Sequence, residues 1–179
     1  MKKLIGKTLF GAALAVLFLL PFFGWLSAEP VPFKDPEGFF TVTPPDGWKT
    51  DDSGYMGKGV VMKGPAGAAG VEPVVHMTHQ PSGIVTLDVQ WPTRLGQVRY
   101  DLERVKFMGL EDHEDQSPPY NQARYSYVEA ERTYMALMRL YKHDDRFFLF
   151  TAAAPEEEFE RLETVFLSVF DSFRPGAGN

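Results

Sequence analysis

Near the end of the chain Phe159, Leu162, Phe166, Val169 and Phe173 recur at spacings of three, four, three and four. Those spacings place five large apolar side chains on one face of a helix. Pro155 suits the first helical position, and Glu156, Glu157 and Glu158 complement the positive end of the helix dipole. Such a face must be buried, so whatever precedes it has to supply a layer to cover it. Arg174-Pro175-Gly176 ends the helix, and residues 174–179 read as a disordered tail.

The covering layer reads as strands. Val31 to Val42 predicts a strand pair turning at Asp35-Pro36-Glu37-Gly38, closed by Pro44-Pro45-Asp46-Gly47. Trp48 follows and is expected to pack back on the core. Gly59–Met62 and Val71–His79 predict two further strands, separated by the mobile glycine-alanine loop 64–70. Leu95, Val98, Leu102 and Val105 predict a helix from about Pro92 to Met108, stopped by Gly109. A strand over Leu110–Gln116 with an acidic exposed edge follows. Three more are predicted at Gln122–Glu131, Thr133–Lys142 and Arg146–Ala152, the last two joined at Asp144-Asp145. Strands, helix, strands, helix is the order of an α+β domain, an antiparallel β-sheet with helices packed on its faces.

The first 28 residues belong to a different environment. Lys2, Lys3 and Lys7 precede a stretch from Thr8 to Ala28 that has no charge. Basic, then apolar, then small residues is the order of a signal peptide, and Pro21 and Gly24 favour cleavage between Ala28 and Glu29. The segment is also long enough to remain as an N-terminal membrane anchor. Both readings keep the lysines cytoplasmic and carry the rest across. The chain has no cysteine, so neither lipidation at a processed N-terminus nor a disulfide framework is available. Together these features point to a bacterial periplasmic protein, with residues 29–32 as linker and 33–173 as a single domain.

Residues 1–28 hold three of the 18 basic residues and none of the 24 acids, so the formal charge falls from −6 to −9 without them. Phosphate neutralisation drives nucleic-acid binding, and so acidic a domain is a poor candidate for it. Anionic lipid is equally unsuited to its surface.

The glycine-aromatic strand leading to Pro45-Asp46-Gly47-Trp48 resembles the opening of the PsbP-like superfamily. The central helix, the three-strand meander ending Phe147-Phe148-Leu149-Phe150-Thr151-Ala152 and the terminal Ser172-Phe173 extend the resemblance over nearly the whole exported part. That superfamily holds an extrinsic subunit of photosystem II, a Ran-binding protein, exported bacterial proteins of unknown function and chaperones of secretion effectors. The resemblance implies an α/β/α sandwich and a binding role. It brings no catalytic residue, because the superfamily shares no catalytic site.

The polar clusters point the same way. His76 and His79 invite a metal, but three apart on a strand they face opposite sides of a sheet. A metal site needs three or four convergent ligands, so structural or surface histidines are favoured. Glu111-Asp112-His113-Glu114-Asp115 lacks the glycine-turned alternation of a calcium loop and reads as a charged strand edge. The loop at 64–70 has no Gly-Lys-Ser/Thr for phosphate, and Ser82 before Gly83 lacks the first glycine of a nucleophile elbow. Tyr120, between Pro119 and Asn121, is the tyrosine best placed for an exposed contact.

The sequence therefore predicts a non-catalytic exported protein with no catalytic residue, no metal site and no cofactor, assisting a membrane or envelope complex through a protein partner in the periplasm or inner membrane. The alternative is a periplasmic small-ligand or metal carrier using the sheet face around His76. A hydrolase would require His113 or His143 beside a carboxylate and a hydroxyl in a deep pocket.

Overall fold

A computed structural model describes residues 31–52 and 59–178. The leader 1–28, with Glu29 and Pro30 of the linker, lies outside the described residues. No helix among the described residues is long and apolar enough to cross a membrane.

Ten strands and two helices follow one another: β1 Phe33–Lys34, β2 Phe40–Val42, β3 Lys49–Asp51, β4 Gly59–Lys63, β5 Val74–Pro81, α1 Leu87–Asp101, β6 Glu103–His113, β7 Tyr120–Glu129, β8 Arg132–His143, β9 Arg146–Pro155, α2 Glu156–Asp171 and β10 Arg174–Pro175. Seven strands form one sheet in the order β3-β4-β5-β9-β8-β7-β6, and every neighbouring pair is antiparallel. Side chains alternate between faces along each strand. On β8 and β9, Met135, Leu137, Phe148 and Phe150 therefore join one cluster while Ala136, Met138, Leu140 and Phe147 join another.

The first cluster lies under α2. Phe159, Leu162, Phe166, Val169 and Phe173 are all buried there, as the spacing predicts. Trp48 packs edge-on against Phe166, with ring centroids 6.2 Å apart. The second cluster lies under α1, where Leu87 and Trp91 are buried and Leu95 and Val98 are half-buried. The result is an α/β/α sandwich with one helix on each face of the sheet.

The central helix begins and ends earlier than the periodicity predicts. It starts at Leu87, before Pro92, and stops at Asp101. Leu102 and Val105 still reach the α1-side cluster, but Val105 does so from β6. Arg104 takes a positive φ of 53°, and the pairing of β6 with β7 shifts between Glu103 and Lys106. That extra residue turns a strand spacing of two into three, which imitates a helix in sequence.

The two ends of the described chain meet. Arg174 and Pro175 pair with Thr41 and Phe40, and Gly176 N donates to Phe39 O at 2.7 Å. This corrects the expectation of a disordered tail from residue 174. Ser172 joins the same seam: its Oγ accepts from Thr43 N at 2.8 Å and donates to Val169 O at 2.7 Å.

Candidate functional site

Helix α1 packs over β6, β7 and β8 and leaves the same face of β5 open. The register builds a row across the sheet, with Val61 beside His76, then Thr151, Met138, Ala123 and Leu110. The next row runs Val74, Ala153, Ala136, Tyr125 and Phe107. The two alanines make its middle shallow. Between these rows and α1 lies a half-open trough.

One section, about 310 Å³, is lined by His76 and Thr78 of β5, Met138, Leu149 and Thr151 of the central strands, and Arg94, Gln97, Val98 and Asp101 of α1. A second, about 430 Å³, shares His76, Leu102 and Thr151 with it and continues over Ala136, Ala153, Tyr125 and Tyr127. His76 also borders a more open hollow with Lys63 and Glu72.

The trough contains an unusual cation. Arg94 is half-buried, and its Nε is fully buried without a hydrogen-bond partner. It forms no ion pair with any described residue. Burial pulls its pKa below the ordinary arginine value. His76 is also held below its ordinary value, first by burial and then by the charge of Lys63, so it stands neutral at pH 7. The Tyr125 hydroxyl is pushed up to about 12 by burial, and Tyr127 is raised further by burial, Glu129 and the neighbouring tyrosines. Asp101 at the mouth accepts from Gln97 Nε2 at 2.8 Å. The walls thus offer one cation without an ion-pair partner among the described residues, the carboxylates of Asp101 and Glu129, neutral hydroxyls and imidazole, and apolar surface.

The structure sends His79 to the other face of the sheet from His76, where it is buried among Phe39, Phe40 and Phe148, with Nδ1 3.0 Å from Arg146 Nη1. The two histidines do not converge on one ion. His113 sits on the α2 side, stacked on Tyr120 at 4.4 Å with Nε2 3.1 Å from Glu111 Oε2. His143 Nε2 lies 3.4 Å from Asp144 Oδ2. Neither histidine lines the trough. Tyr120 opens β7 half-buried, with the Arg139 guanidinium 4.3 Å from its ring centre, so it is less free than its loop position predicts.

Arg139 is buried, a position that an apolar-alternation reading of β8 does not single out. It donates to Gln122 Oε1 at 2.8 Å, Tyr141 Oη at 2.9 Å and Asp171 Oδ1 at 2.7 Å. With that many acceptors it ties β8 to α2. Ser82 is buried, and Lys142 Nζ donates to its Oγ at 3.0 Å and to Asp144 O at 2.7 Å. A lysine activating a serine would need a free lone pair on nitrogen, whereas this one acts as a donor to both. Arg94 drew no notice in the sequence. A cation just ahead of the Leu95–Val105 pattern, within the helix predicted from Pro92, reads as the solvated side of that helix, and only the sheet beneath shows that it is half-buried.

No family model matches the chain, and no curated protein matches it. Solved structures do. A cyanobacterial PsbP (CyanoP) from Synechocystis sp. PCC 6803 superposes with a TM-score of 0.61 at 14% identity, covering 85% of this chain and 96% of that one. The fold is PsbP-like. The same PsbP-like fold is shared with LpqN of Mycobacterium tuberculosis, described as involved in cell envelope biogenesis, at a TM-score of 0.57 and 12% identity over 83% of this chain and 91% of that one. It is shared too with PA94 of Pseudomonas aeruginosa, a protein of unknown function and putative regulator, at 0.56 and 13% over 80% and 94%. Identities this low carry the PsbP-like architecture and nothing about chemistry.

Proposed function

We propose that this is a non-catalytic exported binding protein, working in the bacterial periplasm as an accessory of a membrane or envelope complex, with the trough beside α1 as its working surface. The observation that carries the reading is the trough itself, apolar over most of its wall and open along β5. Binding sites of this kind combine apolar walls with a few placed polar groups. Export rests on the uncharged segment from Thr8 to Ala28 behind three lysines, and the envelope setting of LpqN agrees with it. Among the described residues no nucleophile is paired with a free base in the trough.

The full chain, purified from membranes under mild conditions, tests this. A partner should co-purify with it and be lost from Thr151→Trp, which fills the trough while leaving the α2 face intact. A partner retained equally by the variant would move the working surface elsewhere.

One observation favours the narrower alternative of a small-ligand carrier, the unmatched Arg94. The metal form of that alternative draws no support from the histidines, which lie on opposite faces.

A further inference from the structure

We propose that the trough binds a small organic monocarboxylate, with its carboxylate on Arg94 and its apolar body over Met138, Leu149 and Leu102. The inference rests on the trough being the binding surface and names what that surface takes.

A guanidinium N–H buried without an acceptor is costly, and the Nε of the half-buried Arg94 is in that position. Its planar fork of donors matches a carboxylate in two parallel hydrogen bonds. Among the described residues no other cation lines this section, because His76 is neutral and Lys63 belongs to the separate hollow.

The charge of the ligand is limited by what surrounds that cation. Asp101 lines the same section, and Glu129 lines its continuation. With Asp101 in its own section and Glu129 in the next, Arg94 can answer one anionic group, and a second charge on the ligand, as in a phosphate dianion or a dicarboxylate, would meet repulsion. The size is limited as well. About 310 Å³ beside Arg94, continuing past Leu102 and Thr151 into the second section, suits a compact aryl-alkyl or short aliphatic body. Leu149 and Met138 supply the apolar floor that such a body needs.

Calorimetric titration of the full chain with 4-phenylbutyrate and its neutral isostere 4-phenylbutyramide tests the proposal. The acid should bind at least about tenfold more tightly than the amide, the scale of one charge-assisted hydrogen-bond pair. Arg94→Gln should weaken the acid by about tenfold or more and leave the amide unchanged, with Arg94→Lys in between. Thr151→Trp, or the milder Thr151→Leu, should weaken both, and melting curves establish that each variant is folded. Equal affinity for acid and amide, or an acid affinity untouched by Arg94→Gln, overturns the carboxylate. If binding then still responds to Thr151→Trp, the trough survives as a neutral-ligand site. Binding of neither compound, or binding indifferent to both position-151 variants, removes the carboxylate and the trough together.

Discussion

Gly67 lies directly against the carboxylate of Glu158, so closely that a β-carbon at residue 67 would overlap the Glu158 Oε atoms. Glu158 is buried in the first turn of α2, and its Oε1 accepts from Ala69 N at 3.3 Å. Arg132 Nη1 donates to Ala69 O from the other side at 3.4 Å. The glycine-alanine stretch, expected as a mobile loop, is pinned between α2 and β8.

Gly67→Ala should therefore cost about 1–3 kcal/mol, the usual penalty of forcing atoms into a filled site. Gly96→Ala is the control. Gly96 lies within α1 with open space around its α-carbon, so the same methyl should add about 0.5–1 kcal/mol through helix propensity. Urea unfolding of both variants reads the two signs. If both substitutions shifted the midpoint in one direction, the Gly67–Glu158 contact would not anchor the loop.

The stripe on α2 gives the second prediction. Phe166 is fully buried between Trp48 and Phe159, with ring centroids 6.2 Å and 5.8 Å away. Phe166→Ala should cost about 3–5 kcal/mol, and Glu160→Ala on the exposed side less than about 0.5 kcal/mol. Thermal melts of the two variants make the comparison. A well-folded Phe166→Ala would mean that α2 is not docked on the sheet.

This stripe also shows which parts of the structure were legible from sequence. Five apolar residues at 3.6 periodicity have one solution, because each must be inside, and β7 alternates as cleanly, whereas the middle of β8 is buried on both faces and carries no alternation. The central helix was displaced because its pattern is produced by two elements joined at Leu102, the second bulged at Arg104, and period alone cannot distinguish a bulged strand from a helix. The pairing of Arg174 and Pro175 with β2 was hidden for a different reason. Backbone hydrogen bonding between chain ends leaves almost no mark in side-chain identity. The trough followed the same rule, since the sequence placed His76 on a sheet face but could not show that α1 stops short of it.

His76 sets a pH dependence. Its folded-state pKa is held below the ordinary histidine value by burial and Lys63. Below about pH 6.5 the unfolded chain takes up a proton that the folded chain resists, so the unfolded state binds more protons and stability falls with falling pH. The loss starts at the unfolded pKa and stops growing below the folded one. Melting temperatures from pH 7.5 to 5 should drop less steeply in His76→Asn than in the parent protein. Parallel curves would mean that the imidazole stays solvated and does not line the trough wall.

Arg94 gives the last prediction, and it needs no ligand. A charged side chain that holds a fold together has acceptors around it, as Arg139 has in Gln122, Tyr141 and Asp171. Removing Arg139 would orphan those partners, and Arg139→Gln should lower the melting temperature clearly. Arg94 has no such partners among the described residues, and its removal relieves desolvation without breaking a contact. Arg94→Gln should melt at the same temperature as the parent or above it, and Arg94→Leu higher still, because the trough floor around Leu149 and Met138 is apolar. Function commonly keeps such a residue where stability alone would replace it. A loss of more than about 1 kcal/mol in Arg94→Gln would instead make the arginine structural, since surface substitutions without partners rarely cost that much.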